Sequence, residues 1–497
     1  MKKINILIVL SFLFLFSCKD FLNLTPRNSK IVNSVEDYRD IMASYVKFLK
    51  TPNTQQEKLF GISASTYPCF VVANSLGLYT GETNLNLESS SLFDKTNNVY
   101  TVLGKKSVTW LNSQSNVWNQ YYEFLGAINY IINGIEEVDC DDEDIKNYVK
   151  GEALTWRAFG YYKLLQYYSP YKETEYGVPM NLRPDKDIGT TMLARPQQME
   201  NYKQILSDCN EALSLLEKTP SNTWNLAWTN EFLNSMMSSV YAWKAMSGCA
   251  EETDWANAEK YASEAMLGRQ LVNNSSDFKE LFDCNYLTIN TELESDEFSW
   301  RLIAGSNVYQ SAPCDLIYAY YSRGWHVDGK VNLEYYRKFK DDDIRKEAYF
   351  TSDGANSDKY NLMGQDRGGC IMYFRLAEMY LIKAEALLRQ DKLSEARAIL
   401  IEFKSKRYTG VEEVPSDKEG LLQDILDERL REFYMENDFR WLDMKRLGIT
   451  VSRVVQGETF TLEADDFRYC FPIPNDELLL NKNMVQTPGW EKITLDD

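Results

Sequence analysis

Histidine is all but missing from this chain: its 497 residues include one, His326. Histidine-rich metal centres are thereby excluded, and any Ser-His-Asp or Cys-His arrangement would rest on that residue alone. It lies in a loop-like stretch beside Trp325 and near Asp328, with no activated nucleophile nearby, so no catalytic role is expected of it. The nine cysteines, Cys18, Cys69, Cys140, Cys209, Cys249, Cys284, Cys314, Cys370 and Cys470, lack the close spacing of a zinc or redox motif. Those after Cys18 read mainly as core residues, with room for one or two disulfides. Basic residues are also short, 54 against 73 acidic ones, and the resulting charge of -19 makes nucleic acid a poor partner. Among so many acids, carboxylate pairs arise by chance, so hydrolysis by such a pair is neither indicated nor excluded. Long apolar runs are absent after the first 17 residues, which leaves no later segment able to span a membrane as a helix.

What is present begins at the N-terminus. Lys2 and Lys3 precede an almost unbroken apolar run from Ile4 to Phe16, which ends at Ser17-Cys18. The run is shorter than the ~18 apolar residues of a spanning helix, and it reads as an export signal over residues 1–17. Leu15-Phe16-Ser17-Cys18 resembles a bacterial lipobox, so cleavage before Cys18 and acylation of its thiol are expected. Each buried methylene of an acyl chain contributes about 0.8 kcal/mol, and more than one chain makes the attachment stable. Removing the signal takes away Lys2 and Lys3, so the mature chain has 52 basic against 73 acidic residues, a charge of about -21.

Beyond the signal, apolar residues recur at helical spacing with alanines among them, in neighbouring pairs of segments. Leu154, Ala158, Tyr161, Leu165 and Tyr168 form one stripe. Phe374, Ala377, Leu381, Ala384 and Leu388 form another, and a turn at Gln390-Asp391-Lys392 leads to Leu393, Ala396, Leu400 and Phe403. Trp255, Ala258, Tyr261, Ala262 and Ala265 mark a third helix. Alanine at such places lets helix backbones approach closely. The pattern predicts a mostly α fold: a tetratricopeptide-like solenoid of about four helix pairs, irregularly spaced. The candidate pairs are Val117 to Tyr168, Tyr202 to Met246, Trp255 onward, and Ile371 to Lys406. Two intervals, 63–115 and 273–369, lack helical period and are rich in Gly, Asn, Ser and aromatics. They predict loops and short strands, where function tends to sit.

Several landmarks then fall in one order. Cys18-Lys19-Asp20-Phe21-Leu22 with Pro26 comes first, followed by Trp118, Tyr121, Ile128 and Asn129, and by Arg157-Ala158, Tyr161, Leu164 and Gly177-Val178-Pro179. Next come Asp343, Arg345, Lys359-Tyr360, Arg375-Leu376-Ala377-Glu378 and Ala384-Glu385-Ala386. Glu428-Arg429, Glu432, Glu436, Arg440, Asp443 and Arg446 follow, and Phe471-Pro472-Ile473-Pro474, Glu477, Asn481, Gln486, Pro488 and Gly489 close the chain. This order resembles the SusD/RagB family of outer-membrane nutrient-binding lipoproteins of Bacteroidetes, with residues 18–497 as one SusD-like domain. The resemblance implies a lipid-anchored, surface-exposed, non-enzymatic binder without cofactor or metal. Such a protein passes oligosaccharides, or in some members peptides, to a SusC-like TonB-dependent transporter. A RagB-like peptide binder is the alternative, and a glycoside hydrolase or a repeat scaffold for assembling complexes are the rivals.

Arg375, Glu378, Glu385, Glu428, Arg429, Arg440 and Asp443 have spacings that suit ion pairs within and between helices, a structural role. The acidic run from Glu136 to Asp144 lacks the glycine and the final glutamate of a calcium loop, so it is expected to join two helices, with Asp141 or Asp142 capping the second. The aromatics of the two intervals have two readings: filling of secondary cores under long loops, or a platform on which C–H faces of sugar rings pack. In the resembled family the sugar platform comes from these two regions. The candidate contacts are Trp110, Asn112, Trp300, Tyr309, Tyr320, Arg323 and Trp325, with Trp110, Trp300, Tyr320 and Trp325 leading.

Overall fold

The computed structural model describes residues 32–46, 83–86, 114–183, 192–219, 227–282, 328–331, 333–352, 370–436, 438–455 and 458–492, with short pieces at 284–285, 296–297, 301–303, 354, 359 and 367–368. Most of what they form is helix. In chain order the first elements are α1 (Val35–Val46), β1 (Thr83–Asn86), α2 (Gln114–Glu136), α3 (Glu143–Tyr168), α4 (Gln198–Leu216), α5 (Asn230–Lys244) and α6 (Asp254–Met266). Then come α7 (Ser275–Glu280), β2 (Cys284–Asn285), β3 (Arg301–Ile303), β4 (Asp328–Val331), α8 (Leu333–Tyr336), α9 (Ile344–Tyr349), β5 (Arg367–Gly368) and β6 (Cys370–Met372). The last are α10 (Leu376–Arg389), α11 (Leu393–Ser405), α12 (Lys418–Glu432), α13 (Phe439–Leu447), β7 (Val451–Val455), β8 (Glu458–Leu462) and α14 (Asn475–Leu480).

Each long helix packs on the next: α2 on α3, α3 on α4, α4 on α5, α5 on α6. The stack then skips the second interval, because α6 packs on α10, which continues to α11 and α12. This is the tetratricopeptide-like arrangement expected, with one detail of its own. Among the described residues α6 is followed by no long helix before residue 376, and its second neighbour in the stack is α10. Ala258, Ala262 and Ala265 of α6 are buried against Ala242 of α5 and Ala386 of α10, so small side chains make the close approach across the insertion.

α3 is the spine, with 19 of its 26 residues buried. A helix so covered has partners on every side rather than one apolar stripe. Asp142 caps it, accepting from the amides of Asp144 and Ile145, as expected of the acidic run. Gly151 lies against the indole of Trp228, where an added Cβ would sit 2.2 Å from a ring atom. Buried polar side chains of α3 find partners both within the helix, as Thr155 does on the Gly151 carbonyl at 2.8 Å, and on other elements. Glu152 accepts from the amides of Ala227 and Trp228, each at 3.0 Å, and Arg157 forks onto Asp208 at 2.7 and 2.8 Å. The C-terminal segment returns to this spine: the Phe471 amide donates to the Tyr167 carbonyl at 2.8 Å, and the two rings stack at 5.6 Å.

The second interval differs from expectation in carrying, among its described residues, three short helices, α7, α8 and α9, besides its strands. They span four to six residues, too few for a helical period to show, although Asn274 and Asp343 cap two of them. Beneath them the described residues include a cluster of aromatic rings. Phe339, Tyr349, Phe350 and Tyr434 meet with ring centroids 5.0–6.3 Å apart, beside Phe278 and Phe282. Cys140, Cys209, Cys249 and Cys470 are free thiols, the last three buried. Among the described residues no helix is long and apolar enough to cross a membrane.

Candidate ligand-binding site

The two intervals expected to carry ligand contacts meet. β1, from the first, pairs antiparallel with β4, from the second, with Thr83 opposite Val331 and Asn86 opposite Asp328. Trp325 precedes β4 by three residues in the sequence. β1 also lies beside β7 of the C-terminal hairpin, so the first interval is tied both to the second and to the end of the chain.

The second interval is rooted in the scaffold on both sides of Trp300. On one side, Glu297 is fully buried and accepts from Arg407 Nη2 at 2.8 Å and from the Val272 amide at 3.0 Å, while its carbonyl accepts from the Leu376 amide at 2.8 Å. On the other, β3 pairs with β6, which runs into α10. Three guanidinium groups organise this root. Arg345 bonds Asp343, Glu428 and Glu432; Arg375 bonds Glu432 and Glu436; and Arg407 bonds Glu432 and Glu297. Planar, permanently charged guanidinium groups suit such forked, water-free contacts better than lysine.

Electrostatics in the network are severe. Burial acts most strongly on Glu432 and opposes its charge, but Arg407, Arg375 and Arg345 together outweigh burial and hold the carboxyl well below the usual range. Glu428 is held at about 2, where burial is outweighed by Arg345 and Arg431. For Lys359 burial wins: despite Glu436 at 3.0 Å its ammonium is lowered to about 8. Every one of these groups is engaged with protein. Together they fasten elements far apart in sequence, and their chemistry is structural. Among the described residues no group of three or more His, Cys, Asp or Glu side chains is placed to hold a metal ion.

The chain matches two family descriptions, "Starch-binding associating with outer membrane" over residues 21–242 and "SusD family" over residues 335–490, which between them take in more than half of it. The chain belongs to the SusD family. The starch-binding protein SusD of Bacteroides thetaiotaomicron is 32% identical over 126 residues, a match covering 24% of this chain and 22% of that relative. Solved SusD folds align over nearly the whole length. A SusD superfamily protein from Bacteroides thetaiotaomicron gives a TM-score of 0.70 at 19% identity, over 92% of this chain and 100% of that one. A SusD-like carbohydrate binding protein from Bacteroides vulgatus gives 0.67 at 19% identity, over 91% and 98%. At such identity these structures share the fold.

Within this SusD fold, several landmark acids and bases pair as a structural role predicts, but Glu378, expected to join them, has no ion-pair partner among the described residues because the nearby cations are taken by other acids. Glu385 bonds Arg389 and Arg446, and Arg429 bonds Asp443. The proposed ligand contacts Trp110, Asn112, Trp300, Tyr309, Tyr320, Arg323 and Trp325 lie outside the described residues, as do Cys18 and His326. Glu297 and Arg407 escaped the sequence reading. Glu297 stands among the neighbouring acids Glu292, Glu294 and Asp296 in a stretch without period, and Arg407 follows the last turn of α11, so neither had a pattern to mark it.

Proposed function

We propose that this protein is a lipid-anchored binder at the outer-membrane surface that captures nutrient oligosaccharides and passes them to a SusC-like TonB-dependent transporter. The reading rests on family membership together with one observation: the β1–β4 ladder joins the two intervals that carry the candidate aromatics. A rigid helical stack below and a joined pair of excursions above suit a platform for a carbohydrate, on which aromatic faces and flanking amides, acids and guanidinium groups act together. Residues 1–17 are the export signal, Cys18 carries the lipid, and residues 18–497 are the binding domain. The protein acts by binding, not catalysis. A tethered binder raises ligand occupancy at the mouth of the barrel, and a hinge-like opening delivers the cargo.

Isolation from gently solubilised membranes tests the partnership. Co-isolation with a large outer-membrane barrel protein is expected. Recovery of the protein alone, with no barrel attached, contradicts it. Turnover of a glycan panel by the purified protein would replace the binding reading with the hydrolase one.

A further inference from the structure

Where α3, α5, α10, α12 and α13 converge lies a partly open cavity, mainly apolar but with charged groups in its wall, with about 50 Å³ of room for water centres. By the same measure one water needs roughly 10–15 Å³, so a few fit. The residues that line the cavity belong to the helical scaffold and to neither of the two intervals. Four carboxyl groups and three cations line it. The cations are each committed: Lys163 to Asp438 at 2.7 Å, Arg429 to Asp443 at 3.0 Å, and Arg446 to Glu385 at 3.0 Å. Glu378 is the carboxyl group left over. Its residue is 4% exposed, and its Oε2 has no hydrogen-bond partner in the protein.

Leaving a buried carboxylate both unpaired and unsolvated costs far more than taking up a proton or admitting water. The groups around Glu378 do not remove the conflict. From α3 it faces Lys163, which Asp438 already neutralises, and Tyr162, whose hydroxyl donates to the Ser239 carbonyl at 3.1 Å; the Tyr373 phenol adds to the wall just before α10; α12 supplies Arg429 and α13 supplies Asp443 and Arg446, which pair among themselves and with Glu385 of α10; α5 contributes only the uncharged Ser239, Ala242 and Trp243. We propose that this cavity is a hydrated proton site: Glu378 and a small cluster of waters gain and lose one proton in the folded protein, and that proton sets how tightly α3 is held against α10 and α13. Burial above all, with Asp443 and Asp438 adding to it and Arg429 and Lys163 opposing, raises the Glu378 carboxyl to about 7, so the change falls near neutral pH.

The sign follows from that direction. A carboxyl group raised in the folded state adds stability below its unfolded value near 4.5, and the contribution is lost as pH rises through about 7. Glu378→Gln keeps the shape and removes the titration. In the full chain, thermal midpoints of the parent and E378Q should coincide at pH 5, and the variant should be higher by several degrees at pH 8.5. At pH 8.5 amides of α3 and α13 should exchange hydrogen faster in the parent than in E378Q. An infrared carbonyl band of a protonated carboxyl group should be present in the parent at pH 5, vanish by pH 8.5, and be missing from the variant at both. A constant gap between the midpoints at the two pH values, with no titrating band lost on substitution, would overturn the proposal. If E378Q fails to fold, Glu378→Asp serves instead: the band should persist at pH 5 and shift its titration, and an unchanged titration curve would likewise overturn it.

Discussion

Arg407 donates from Nη2 to Oε1 of Glu297 at 2.8 Å, a fully buried contact between residues 110 positions apart. It ties the root of the second excursion to the helices that close the stack. Removing one partner of a buried pair strands the other charge, which costs about 3–5 kcal/mol. Arg407→Met is therefore expected to lower stability by about that amount and to expose the chain near residue 297 to protease. Urea unfolding and limited proteolysis check both effects. A midpoint like that of the parent would mean that the pair is dispensable.

Acid should loosen both this root and the contact of α12 with α13. Glu428 and Asp443 are each held at about 2 in the folded protein: burial opposes their charge, and Arg345 and Arg431, or Arg429 and Arg446, outweigh it. Groups with depressed values contribute stability above their unfolded range, near 4, and lose it as pH falls toward about 2. A shift of this size for one fully buried group is on the order of 3 kcal/mol. Melting curves should fall steeply from pH 5 to pH 3. The deficit of Glu428→Gln against the parent, large at pH 6, should shrink over that interval.

The closeness of α3 to Trp228 depends on the missing side chain at Gly151. An alanine there drives its methyl group into the indole, 2.2 Å from a ring atom, and overpacking of this kind costs about 1–3 kcal/mol. Gly151→Ala should melt several degrees below the parent, with the change visible in Trp fluorescence. Equal melting would show that Trp228 has room to move.

These contacts show which parts of the molecule could be read in the sequence and which could not. Helices were legible where the period of side chains coincided with burial, as in Leu154, Ala158, Tyr161, Leu165 and Tyr168, all of them buried. The turn between α10 and α11 was equally plain, because Gln390-Asp391-Lys392 breaks two periodic runs, with Asp391 in the left-handed region at φ 61°. Arg375, Glu428 and Arg429 could be marked as structural from their helical spacing. Glu297 and Arg407 could not, since their relation exists only in three dimensions. Pairing of β1 with β4 was hidden for the same reason: four-residue strands carry almost no period of their own.

Membrane attachment should depend on a single thiol. Cys18→Ala is expected to abolish incorporation of labelled palmitate and to release the protein from the membrane fraction. Equal labelling of parent and variant would contradict acylation at that position.

Calorimetric titration of the detergent-solubilised full chain with starch-derived oligosaccharides tests the central claim most directly. Saturable binding by the parent, lost when Trp110, Trp300, Tyr320 and Trp325 are together replaced by alanine in a variant that still melts cooperatively, is the predicted result. Unchanged affinity in that variant would contradict the aromatic platform. Absence of binding to any glycan, with saturable binding of peptides instead, would contradict the carbohydrate reading itself.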